Sequence, residues 1–305
     1  MRPLRDMDTI QIEITNACVH DCSNCTRFCG HIKKPFMMTL PTFKAAVDSM
    51  EGFPHMVGIM GGEPLLHPHF KELCEYALSK IPRSKLGLWT ALPKGYEHYS
   101  DLICATFGNI FINNHSRPDI YHAPILIGIE DLVANREDMW YPIDKCWIQN
   151  SWSASINPNG AFFCEVAAAM SILFEEPSYG WKVEKGWWKR IPKDYTAQCE
   201  KFCPMCGLAA PLHRRPSIDG YDDISQKNYD RLKGKSRKLS KCIISTGQLT
   251  DAPEQMAAYK DINYREAIAE SYGIALYPTE LGFLEPRKGS PRKSLYSKYL
   301  ADYSS

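Results

Sequence analysis

The chain of 305 residues has no run approaching the roughly 18 consecutive apolar residues that a membrane span requires, so an embedded protein is not expected. Its start, MRPLRDMDTIQIEIT, lacks the apolar stretch and small-residue cleavage site of a secretory signal, and a cytoplasmic protein is expected. An excess of one charge is missing too: 36 Lys and Arg stand against 35 Asp and Glu, a formal charge of +1. With no surplus to complement a polyanion or an acidic membrane, neither nucleic acid nor membrane is expected as a partner. Internal repeats are also absent. What remains is a hydrophobic fraction of 44%, enough for one large core or for one large core with a small satellite.

Cysteine is the residue in surplus, with twelve in the chain. Disulfides are disfavoured in the cytoplasm, so metal is the leading reading. Two octets share the spacing CxxxCxxC: CVHDCSNC at 18–25 and CEKFCPMC at 199–206. Cys18, Cys22, Cys25, Cys29, Cys146, Cys164, Cys199, Cys203 and Cys206 fall in or near these octets or on the approach to the second. Cys74, Cys104 and Cys242 stand alone and read as small buried hydrophobes.

TIQIEITN (9–16) alternates apolar and polar residues and predicts a half-buried strand ending at the first octet. TLPTFKAAVDSM places Phe43, Ala46, Val47 and Met50 on one helical face, with Thr39 or Thr42 as N-cap. MVGIMGGEP (56–64) reads as a buried strand, and HPHFKELCEYALSKI as a second amphipathic helix. LGLWTAL (86–92), NIFINNH (109–115) and PILIGIE (124–130) are further strand candidates. Such alternation predicts parallel βα units with chemistry on the loops at strand C-termini, where both the octet and GGEP fall. From about Trp140 the rhythm changes. SASINPNGAFFCEV (153–166) predicts a hairpin around NPNG, GKSRKLSK a basic turn-rich linker, PEQMAAYKDINYREAIAESYG an amphipathic helix, and EPRKGSPRKSLYSKYLADYSS a mobile end.

Three thiolates on one loop are one short of the four that close a cubane iron-sulfur cluster, which leaves one iron open. CVHDCSNC after the first strand, with GGEP (61–64) about 36 residues later, resembles the radical SAM superfamily. The resemblance covers roughly 8–210. It implies an α/β fold with a partial (β/α)6 TIM-like barrel at 1–140, followed by a small β-hairpin-plus-helix auxiliary-cluster domain at 141–210 and a C-terminal extension of unassigned role at 211–305. It further implies that Cys18, Cys22 and Cys25 hold a [4Fe-4S] cluster whose open iron chelates S-adenosylmethionine. Gly61 and Gly62 would let backbone approach the methionine portion, Glu63 would accept from its ammonium, and Pro64 completes the motif. Thr90 would face the cofactor. Asn24 stands where relatives carry an aromatic residue near adenine, with Phe28 a nearby substitute. Cys29 offers a competing register with Cys22 and Cys25, or a packed thiol. A zinc knuckle with Cys29 or His31 as fourth ligand has suitable ligand types but leaves GGEP unexplained.

The second octet lacks a preceding strand and a following GGE. Cys146 and Cys164, separated by seventeen residues, with Cys203 and Cys206 following after thirty-eight more, resemble the Twitch form of the SPASM auxiliary domain. That resemblance implies a second, fully ligated [4Fe-4S] cluster able to accept or relay an electron. Cys199 is a spare that could replace Cys146, and zinc on the same four thiolates is the structural alternative.

The activity implied is hydrogen abstraction by a 5'-deoxyadenosyl radical, leading to oxidation of an alcohol or epimerisation of a carbon, with flavodoxin or ferredoxin as electron donor. Only seventeen residues precede Cys18, so a sugar, aminocyclitol or nucleotide sugar is expected rather than a peptide, peptide maturation being the alternative. A zinc-stabilised, non-enzymatic interaction module is the second alternative. Asn113, Asn114, His115 and Glu130 lie at predicted strand ends and could meet substrate hydroxyls. His115, Glu130 and Glu165 are the candidate catalytic groups, and HRR (213–215) could meet a phosphate. Glu165 could also tune the neighbouring cluster. Trp147, Trp152, Trp187 and Trp188 read as small-domain core.

Overall fold

The computed structural model describes residues 1–113, 115–118, 120–146, 148–149, 153–210 and 212–245, together with the backbone of 274–276. Asn114, Trp147, Trp152 and the expected helix and tail beyond residue 245 lie outside the described residues.

The strand-forming runs assemble one sheet of seven strands. Strands β1 (Thr9–Thr15), β2 (Met56–Gly61), β3 (Leu86–Thr90), β4 (Asn109–Asn113) and β5 (Ser153–Asn157) are mutually parallel. β6 (Gly160–Phe162) and β7 (Ile274–Leu276) close the edges antiparallel, giving the order β7-β4-β3-β2-β1-β5-β6. The result is a mixed α/β fold with a five-stranded parallel centre; a sixth parallel barrel strand is not formed among the described residues. PILIGIE, expected as a strand, makes only one bridge, Leu126 to Ile224, and then turns at Ile129–Asp131. Its polar backbone is instead satisfied from the side: Gly207 N donates to Ile125 O at 2.8 Å and Asn228 Nδ2 to Leu126 O at 2.9 Å. The expected hairpin forms, but its first strand pairs with β1 and extends the main sheet.

Helix α1 (Leu40–Ser49) starts at Thr39, whose hydroxyl accepts from Thr42 N, and buries Phe43, Ala46 and Val47. Helix α2 (Phe70–Lys80) buries Phe70, Leu73, Cys74 and Ala77. These faces and α3 (Ser100–Thr106) join Ile10, Ile12 and Ile14 of β1 in the main core. Trp187 and Trp188 belong to it as well, donating from their indole nitrogens to Ser49 Oγ and Ser49 O, both at 3.2 Å. β1 is buried along all seven residues rather than on one face, because Gln11 and Glu13 are covered too. On that second face Met60, Trp89 and Phe111 form a separate apolar cluster, in which the Trp89 and Phe111 rings stack at 4.1 Å.

No helix among the described residues is long and apolar enough to cross a membrane. Cys74 is buried as expected, whereas Cys104 and Cys242 are half-buried.

Candidate active site

The C-terminal ends of β1 to β4 surround a cavity of about 110 Å³, which brings together residues far apart in sequence. Cys18, Cys22, Cys25 and Cys29 line it from the loop after β1; Gly61, Gly62 and Thr90 line it from the ends of β2 and β3. Both glycines are required by chain crossing, since a Cβ on Gly61 would lie 2.1 Å from Thr15 O and one on Gly62 2.2 Å from Ala17 O. The close approach is between β2 and the start of the cysteine loop, before any cofactor is considered.

The thiols are arranged unequally. Cys29 is hydrogen-bonded to the sulfurs of Cys18 and Cys25. That bond favours the Cys25 thiolate, whose pKa falls to about 6, while Cys29 itself is pushed up. Cys29 is thus a buried thiol packed between two candidate ligands. Burial, then the neighbouring cysteines, push Cys22 up as well. His31 is not available as a ligand: its Nε2 meets Asp222 Oδ2 at 2.5 Å and its Nδ1 meets Ser236 Oγ at 2.8 Å. Among the described residues no three His, Cys, Asp or Glu side chains are arranged to hold a single metal ion, whose thiolates would sit about 2.3 Å from one point for zinc.

Three residues expected at the cofactor do not line the cavity. Glu63 is fully buried, accepting from Leu65 N at 3.0 Å, Thr90 Oγ1 at 2.7 Å and Ala91 N at 2.7 Å, so its carboxylate ties the end of β2 to the end of β3. Burial pushes its pKa up to about 7 against these donors. Pro64 starts the short turn that follows and does not line the cavity. Asn24 turns away at φ +49°, donating from Nδ2 to Asp223 at 2.9 Å and accepting from Asp223 N at 2.9 Å. Phe28 is buried against His31 and does not replace the missing aromatic.

Of the candidate catalytic groups, His115 and Glu165 line the cavity, whereas Glu130 lies outside it, paired with Arg231 at 2.6 Å. Arg215 is likewise committed, to Asp223 at 2.7 Å and Asp219 at 3.4 Å, leaving no free HRR cluster for phosphate. Asn113 lines the cavity with a buried Oδ1 that has no hydrogen-bond partner among the described residues.

Sequence reasoning missed two groups of lining residues. The first is Arg27, which bridges Glu165 at 3.0 Å and Gln11 Oε1 at 2.6 Å, while Ser153 Oγ donates to Glu165. Its place two residues after the octet was the only signal. The second is a histidine relay. His122 Nδ1 lies 2.6 Å from Ser23 O, a carbonyl that can only accept, so Nδ1 carries the proton and Nε2 the lone pair. His115 Nδ1, 2.9 Å from that Nε2, must then donate, which leaves the lone pair of His115 on its own Nε2. Burial, then the charges of His122 and His20, lowers the His115 pKa to about 3 and keeps the ring neutral. His122 has no neighbouring motif to announce it.

A second cavity, about 30 Å³, is lined by Cys146, Cys164, Cys203 and Cys206, with Phe163, Met170 and other apolar side chains between them. Cys199 does not line it; its thiol is hydrogen-bonded to the Cys203 sulfur and lies 3.6 Å from Met1 Sδ. Burial pushes the Cys206 thiol up to about 12. Ile148 borders both cavities, and Glu165 of the first follows Cys164 of the second.

No protein-family model matches the chain, and no curated protein sequence matches it significantly. Solved structures similar in chain trace include BtrN in complex with AdoMet and 2-DOIA, at 15% identity and TM-score 0.41, covering 65% of this chain and 88% of that one. Selenomethionine BtrN in an open conformation aligns at 12% identity and TM-score 0.38, over 71% and 97%.

Proposed function

We propose that this chain is a radical SAM enzyme acting on a small polar substrate. The observation that carries the reading is the convergence of a three-cysteine strand-end loop, the Gly61–Gly62 crossing and Thr90 on one cavity. Cys18, Cys22 and Cys25 would hold a [4Fe-4S] cluster, with Cys29 as a packed neighbour. When bound, that cluster and S-adenosylmethionine supply a 5'-deoxyadenosyl radical, which removes hydrogen from carbon. Flavodoxin or ferredoxin would deliver the electron. Cys146, Cys164, Cys203 and Cys206 would hold a second [4Fe-4S] cluster, in an auxiliary unit spanning about 141–210 and docked on the sheet edge.

The chain's own groups fit oxidation of a secondary alcohol. Asn113 Oδ1 offers an acceptor for a substrate hydroxyl, and the Arg27–Glu165 pair gives the cavity a fixed polar wall. His115 Nε2 holds the lone pair that would take the hydroxyl proton, with His122 and the Ser23 carbonyl fixing its tautomer. The shared wall at Ile148 would give an electron a short route to the second cysteine set.

Anaerobic reconstitution followed by assay of dithionite-dependent 5'-deoxyadenosine tests the reading. The wild type should form it and Cys18→Ala/Cys22→Ala/Cys25→Ala should form none, whereas Cys203→Ala/Cys206→Ala should retain cleavage and lose oxidised product. If the second pair abolished cleavage and the first set did not, the assignment would be reversed.

A further inference from the structure

The segment after residue 211 lies outside the resemblance, and its basic run 234–241 was expected to be a linker. In the structure residues 215–241 are wrapped onto the cysteine loop. Ser23 N donates to Ser217 O at 2.8 Å, Arg237 N to His31 O at 3.1 Å, and the Arg237 guanidinium to Gly30 O at 2.9 Å. Asn24 N donates to Asp222 Oδ1 at 2.5 Å. At the centre is Lys238, only 3% exposed although it stands in a basic run. Its ammonium donates to Cys22 O at 2.8 Å and is paired with Asp222 Oδ1 at 3.2 Å and Asp21 Oδ1 at 3.3 Å. A Cβ on Gly30 would lie 2.8 Å from Lys238 Cδ and 2.2 Å from Asp21 Oδ1, so the loop closes tightly around the lysine stem.

We propose that Lys238 is a positioning residue: a built-in cation that fixes the cysteine loop in its ligand-presenting shape, with Arg215–Lys241 as the clamp that delivers it. The loop has little regular structure of its own between β1 and α1. Its carbonyls at Cys22 and its carboxylate at Asp21 point at one spot, and the ammonium's three N–H donors satisfy oxygens from both the loop and the clamp. A neutral side chain there removes the donor to Cys22 O and leaves Asp222, still held by His31 and Asn24 N, without its buried cation, and the loop opens. The inference rests on the proposed cluster only for what the loop presents; the clamp is a property of the metal-free protein.

The test is the rate at which iodoacetamide alkylates Cys22 in the full-length apoprotein under anaerobic conditions, read by peptide mapping, with buried Cys74 as internal control. Lys238→Met, which keeps the apolar stem and removes the charge, should speed labelling of Cys22 about tenfold while Cys74 is unchanged. Lys238→Ala should behave likewise and be slowed again by propylammonium, which replaces the missing atoms, but not by n-propanol. Protection in Lys238→Met equal to wild type, or equal rescue by propanol, overturns the proposal in favour of simple space filling. Should the variants expose Cys74 as well, amide exchange in the wild-type apoprotein decides: the amides of Ser23, Asn24, Asp223 and Arg237 should open as one unit, and unequal opening rejects the clamp. Absence of iron from the purified protein would sink the radical SAM reading without touching these results.

Discussion

Two carboxylates, Glu13 and Glu165, face one guanidinium, Arg27, at the cavity wall. Glu165 makes the close pair, and Glu13 is left with a buried Oε2 that has no hydrogen-bond partner among the described residues. Burial dominates over the attraction of Arg27 and, helped by Glu165, pushes the Glu13 pKa to about 7. A folded-state pKa above the unfolded one means that the fold holds this proton more tightly. Its stabilising contribution is fully present below about pH 4.5 and is lost as pH rises through about 7. Glu13→Gln keeps the shape and removes the titration. Urea unfolding at pH 5 and pH 8 should show the wild type losing about 2 to 3 kcal/mol relative to the variant; parallel profiles would place Glu13 in an ordinary, solvated setting. At this scale the sequence exposed the thiols and the glycine pair, whose spacing is local. Lys238, Asp222 and His122 were hidden, because what they do depends on carbonyls and carboxylates up to about two hundred residues away.

Among the described residues, two elements with a clear local signal form as read. α1 has its Thr39 cap and its Phe43, Ala46 and Val47 face, and the NPNG hairpin turns where Gly160 adopts φ +125°. PILIGIE was misread because a short apolar run signals burial but does not say how its backbone is paired. The run 234–241 was misread for the opposite reason: charge signals solvent unless partners are supplied from elsewhere. The crossing of β2 over the loop start is where element packing sets site geometry. A Cβ on Gly62 would meet Ala17 O at 2.2 Å and Cys18 Cβ at 3.0 Å, contacts that backbone cannot relieve without moving the loop. Gly62→Ala should therefore lower stability by about 1–3 kcal/mol in urea unfolding while far-ultraviolet circular dichroism stays native-like. An unchanged midpoint would mean that the loop start is not seated on β2.

At the scale of the molecule, one sheet carries two cysteine-lined cavities that share Ile148 as a wall. If each holds a cubane, anaerobically reconstituted protein should contain about eight iron atoms per chain, and either Cys18→Ala/Cys22→Ala/Cys25→Ala or Cys203→Ala/Cys206→Ala about four. Iron assay with visible absorbance measures this directly. A colourless protein containing zinc would refute both assignments.

By itself the sequence determined the strands β1 to β4, the helices α1 and α2, the NPNG hairpin and the grouping of the thiols along the chain, because periodicity and close spacing are written in neighbouring residues. Only the tertiary structure decided that β5 docks beside β1, that Gly61 and Gly62 cross the start of the cysteine loop, that Glu63 and Asn24 face inward to the protein and not the cavity, and that Lys238 closes the cysteine loop. Those outcomes depend on which buried polar groups find partners, a condition that distant parts of the chain satisfy together and that no short stretch records.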